Sequence, residues 1–111
     1  MTEGEQQVVP GIFLSDSGQA TVDPSLTDVL FDLAIKLEGP TNHPVDVQHV
    51  LAAIILAARS GELDPGKQLS SDDQALAAVL TPHVKMVFLR NLTASSAWTI
   101  EDARNPPTTL R

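Results

Sequence analysis

The sequence has no cysteine and no tyrosine, few basic residues and only four aromatic side chains: Phe13, Phe31, Phe88 and Trp98. Without cysteine there is no disulfide, no thiol nucleophile and no thiolate metal site, a composition that suits a reducing compartment. With so few aromatic rings, the core has to be built from Leu, Val, Ile and Ala. The 7 Lys and Arg face 14 Asp and Glu, a net charge of −7. The cations are scattered (Lys36, Arg59, Lys67, Lys85, Arg90, Arg104, Arg111). No basic patch can form to neutralise phosphates, so nucleic acid is not an expected partner. The six glycines, at 4, 11, 18, 39, 61 and 66, are isolated, so no phosphate-cradling loop exists. The longest apolar run, Val50 to Ala58, has nine residues, against about 20 for a membrane span. The first residues, MTEGEQQVV, carry acids and no base, unlike the cationic start of a secretory signal. A cytoplasmic protein without a membrane partner is expected, and the sequon Asn91-Leu92-Thr93 reads as a chance match.

What is present suggests one domain. The 111 residues can bury a core without staples, and 42% of them are hydrophobic. The expected organisation is a flexible stretch 1–10, a single helical domain 11–104 and a flexible tail 105–111. Two short apolar runs, Ile12–Leu14 and Ala20–Val22, flank SDSG, which predicts an extended arm or a β-hairpin. Asp23-Pro24-Ser25 starts a helix, because proline's missing N–H would be unpaired in the first turn anyway. Leu26, Val29, Leu30, Leu33 and Leu37 then follow at helical spacing, and Gly39-Pro40 predicts a stop. Asp32 and Lys36 stand four apart in the favourable acid-first order.

Asp46 suits the N-cap of a second helix, with Val45 and Val50 as a hydrophobic staple and Gly61 just past the end. Ser71 with Gln74 forms a capping-box pattern, and Asp72 and Asp73 suit the positive end of a third helix. Thr81-Pro82 is read as a fresh start, since the residue before proline disfavours the helical region, with a single kinked helix as the alternative. The expected fold is therefore mainly α: a compact bundle of about four helices, near 25–38, 46–60, 72–80 and 82–92, behind the short arm or hairpin. The second helix should be central. Ala97 to Ile100 would be a short extended piece, with Trp98 packed back as a lid.

Candidate chemistry is sparse. His43 and His49 are six apart and His83 is remote, which fits no zinc spacing. Asp46 and His49, three apart, have the residue types of half a nucleophilic triad, but no serine sits in an elbow context. Asp72-Asp73, Glu101-Asp102 and Glu62/Asp64 are paired carboxylates, and the first pair already has a structural task at a helix start. No catalytic, cofactor-binding or metal residue is assigned.

Val45-Asp46-Val47-Gln48-His49-Val50-Leu51-Ala52-Ala53-Ile54 resembles the V-x-x-E-H-L-L-x-A-L helix start of the Clp ATPase N-terminal domain, with Gln48 in place of the acid. An amphipathic helix and a short turn precede the motif, as Leu26–Gly39 and Pro40–Pro44 do here. The resemblance implies an all-helical module that binds adaptors or substrates, and no binding residue is carried over from it.

The function expected is that of a small non-catalytic interaction or regulatory module. Its partner would be another protein or a second copy, with a homodimer formed through the apolar second helix. The rival is a small-ligand binder or minor enzyme, with a pocket near His49 and Trp98 that uses Asp46 and His83.

Overall fold

The computed structural model describes residues 6–15, 20–64 and 66–92. It is mainly helical, with a small antiparallel sheet in front. The elements are β1 (Gln6–Val9), β2 (Ile12–Leu14), β3 (Ala20–Val22), a 3-10 turn (Pro24–Leu26), α1 (Thr27–Thr41), α2 (Val47–Arg59) and α3 (Gln74–Arg90).

The hairpin reading holds for β2 and β3, which pair Ile12 with Val22 and Leu14 with Ala20. Gln6–Val9 forms a further strand, β1, which pairs antiparallel with β2. Pro10-Gly11 is the cause. Proline fixes φ, and Gly11 takes φ +94°, the Pro-then-left-handed order of a type II turn. A Cβ on Gly11 would run into the Leu26 side chain. The turn is tied down by the Asp23 N–H, which donates to the Gly11 carbonyl (2.8 Å). The register shifts between Gln7 and Val9. This irregularity explains how sequence neighbours Val8 and Val9 can both be buried, which a regular strand does not allow.

Asp23 ends the sheet and starts the helices. Its carboxylate accepts from the Ser25 N–H (3.0 Å), and Leu26 is buried. On α1, Leu30, Leu33, Ala34 and Leu37 face the core. The stop expected at Gly39-Pro40 does not occur there, because α1 continues to Thr41. Gly39 has no Cβ to clash with the proline ring, so the usual pre-proline penalty is relieved. The helix ends one residue later, with Asn42 at φ 54°.

Among the described residues the four expected helices are three, because most of 72–80 and 82–92 belongs to one helix, α3. Pro82 deprives the Ala78 carbonyl of its partner, but both residues are exposed, so water can serve that oxygen. Thr81 donates its hydroxyl to the Ala77 carbonyl (2.8 Å), which strengthens the turn before the proline. The cap of α3 is Asp73, whose carboxylate accepts from the Leu76 N–H (3.2 Å). The Ser71/Gln74 capping box therefore does not form, since Ser71 lies outside the cap position.

All three helices end in the same way. The residues Asn42, Gly61 and Asn91 have positive φ. Paired reverse bonds close each end: His43 N–H to Glu38 O, Glu62 N–H to Ala57 O, and Leu92 N–H to Val87 O. These are Schellman terminations.

The core is aliphatic, as the composition required, and α2 is at its centre. Ala52 to Ala57 are all buried, and six residues cover more than one and a half helical turns. α2 is thus covered all round, most extensively by α3 and also by α1 and β1. Its alanines let these neighbours approach closely. No helix among the described residues is long and apolar enough to cross a membrane.

Candidate functional site

Three places bear on function, and α2 separates two of them. The first lies at the N-terminus of α2. Asp46 caps the helix: its carboxylate accepts from the Val47 N–H (2.8 Å) and from the His49 backbone N–H. In return, the Asp46 backbone N–H donates to His49 Nδ1 (3.0 Å). This is a capping box with histidine in the place usually held by Glu or Gln. An accepting Nδ1 means a neutral ring with its proton on Nε2. The Asp46 carboxylate does not orient the imidazole, so the pair has no triad geometry.

Phe88, late in α3, packs on both nearby histidines. Its centroid is 4.2 Å from that of His43 and 4.7 Å from that of His49, the latter edge-on at 76°. His43 Nδ1 donates to the Pro44 carbonyl (2.8 Å). Three rings thus join the α1–α2 turn to the end of α3. The arrangement is a structural clasp in which both histidine Nδ1 atoms are held by nearby backbone.

The second place is beyond the C-terminus of α2. His83 Nε2 lies 3.1 Å from Glu62 Oε2, which also accepts from Ser60 Oγ (3.1 Å). Lys67 Nζ contacts Asp73 Oδ2 at 2.6 Å. The hydrogen bond from Lys67, then that from the Leu76 N–H, holds the Asp73 carboxyl below the usual carboxylate range. A pocket of about 240 Å³ opens between Glu62, Lys67, Leu76 and Val79. Small-molecule sites run from about 300 Å³ upward, so this one is small even for a metabolite.

The rival reading needs His49, Asp46 and His83 together. The fold places His83 with Glu62, past the C-terminus of α2, whereas Asp46 and His49 stand at its N-terminus. Trp98, the other wall of that expected pocket, lies outside the described residues, as do residues 16–19 between β2 and β3, the segment 96–101 and the tail 105–111. Among the described residues, no group of three or more His, Cys, Asp or Glu could hold a metal ion.

The third place is the outer face of α1, where Phe31 is 54% and Ile35 67% exposed. They are four residues apart, so they adjoin on one face. The expected surplus of apolar surface on the second helix is absent, because α2 is enclosed. The exposed apolar pair instead belongs to a helix whose stripe of leucines had drawn attention to its other side. Helical spacing alone could have revealed it, since Phe31 and Ile35 fall off the Leu30–Leu33–Leu37 stripe. Leu89, 81% exposed, stands apart on the outside of α3.

No family model, curated protein or solved structure matches this chain.

Proposed function

We propose that this protein is a small non-catalytic interaction module of the cytoplasm, which docks a protein partner on the outer face of α1. The observation that carries the reading is the adjacent exposed pair Phe31 and Ile35. Single exposed apolar residues are ordinary, but a large aromatic and a β-branched side chain side by side on one helical face form a continuous patch. The likeness of Val45–Ile54 to a Clp-type helix start is in keeping with a helical module that binds other chains. The use of His49 Nδ1 in the helix cap, rather than by the Asp46 carboxylate, favours binding over catalysis.

Affinity capture from the native extract, run in parallel with wild-type protein and a Phe31→Asp/Ile35→Asp variant, tests the reading. Both residues are exposed, so the variant should keep the wild-type circular dichroism spectrum. Proteins retained by wild type and lost by the variant would support the docking face. Identical captures would sink it.

A further inference from the structure

We infer that the outer face of α1 is built for a basic amphipathic helix; this rests on the docking reading above and specifies the partner's chemistry. Phe31 and Ile35 do not stand alone on that face. Asp28 is three residues before Phe31, Asp32 three before Ile35, and Glu38 three after Ile35, so each carboxylate adjoins the apolar pair. All three acidic residues are exposed. Asp28 and Asp32 have no ion-pair or hydrogen-bond partner among the described residues. Among the described residues, Glu38 accepts from the Val45 N–H (3.3 Å).

The base that could neutralise this rim is turned away. Lys36 is four residues from Asp32, the spacing that favours pairing, yet its Nζ lies 3.8 Å from Asp72 Oδ1 and donates to the Ser71 carbonyl. The stripe continues to Gly39, where an added Cβ would meet nothing within 4 Å. A partner side chain would find open room at that end. An apolar strip four residues in period, rimmed on both sides by carboxylates, is complementary to a helix with apolar anchors and flanking Lys or Arg. The same rim argues against a second copy. Two such faces would bring like charges together in a chain of net charge −7.

The test uses the full chain and a synthetic amphipathic helix of about five turns, with Leu at i, i+3, i+4 and i+7 and Lys and Arg beside them. The control peptide carries Glu at every basic position. Binding is followed by backbone amide NMR shifts, and oligomeric state by light scattering over a dilution series. The basic peptide should shift amides around Phe31, Ile35 and Gly39, and the Glu peptide should not. Phe31→Ala/Ile35→Ala should weaken binding by roughly tenfold or more, while Leu89→Ala leaves it unchanged. Asp28→Asn/Asp32→Asn/Glu38→Gln should weaken it several-fold at low salt and little at high salt.

Equal binding of the two peptides would overturn the basic-partner inference while leaving the docking face in place. No binding, or shifts mapping elsewhere, would overturn the inference, and the capture experiment would then judge the face separately. Concentration-dependent dimers that bury Phe31 and Ile35 would make a second copy the occupant and overturn it too.

Discussion

At residue scale, His49 fills a position where helices usually carry glutamate or glutamine. Glutamine offers a carbonyl oxygen in nearly the same place as the imidazole Nδ1. His49→Gln should therefore keep the bond to the Asp46 N–H and lose only the ring contact with Phe88. His49→Ala loses both, and the expected cost is about 1–2 kcal/mol, read from urea denaturation midpoints with the Gln variant falling between alanine and wild type. Asp73 and Asp23 give the acid behaviour. Hydrogen bonds from Ser25 hold the Asp23 carboxyl low, and those from Lys67 and Leu76 hold Asp73 low. A carboxylate with a depressed folded-state pKa stabilises the fold above its unfolded value and loses that contribution as pH falls through the folded one. Thermal midpoints should therefore fall below about pH 4, the ordinary aspartate range. In Lys67→Met the Asp73 titration, followed by carboxyl carbon NMR, should move up toward the ordinary value. An unmoved Asp73 curve would remove Lys67 as the cause. Both acids were legible as helix-start residues. Lys67 as a partner was not, because it approaches from a connection whose path no local pattern fixes.

At element scale, the two prolines show where local rules yield to tertiary packing. Gly39-Pro40 and Thr81-Pro82 both read as breaks, and both lie inside helices. At Pro82 the apolar stripe runs through: Leu80 and Val84 are buried on either side of it. Keeping both in the core outweighs one lost backbone bond. Pro82→Ala should restore that bond, and an increase of about 1–3 kcal/mol in unfolding free energy is expected. A decrease would mean that proline's restriction of the unfolded chain matters more than the missing bond. The first two helices and the caps at Asp46 and Gly61 were readable because propensity, capping chemistry and periodicity agree there, whereas the β2–β3 hairpin stood level with an extended arm. β1 was hidden because QQVV alternates poorly, its irregular register turning two adjacent valines inward. Pro10-Gly11 was its one clear sign. The α1 docking face was hidden for another reason: a pattern search rewards the stripe that becomes core, and the exposed pair is what remains.

At the scale of the whole molecule, the sheet, α1 and α3 all converge on one short helix. Removing a branched side chain there leaves a cavity with few ways to collapse. Ile54→Ala should cost about 2–5 kcal/mol, a large part of the 5–15 kcal/mol typical of a domain. Calorimetry would check this, and a loss under about 1 kcal/mol would mean the surrounding layers can close in. The enclosure of α2 also has a consequence in time. The amide hydrogens of its buried middle, Ala52 to Ala57, lie beneath α1, α3 and β1, so deuterium is expected to reach them only when the structure opens globally. Exchange at Ile54 and Ile55 then reports the lifetime of the native state, whereas exchange along α1 reports local fraying. One labelled sample thus carries two clocks, and a partner seated on α1 would slow both, because whatever binds only the folded chain also holds off its global opening.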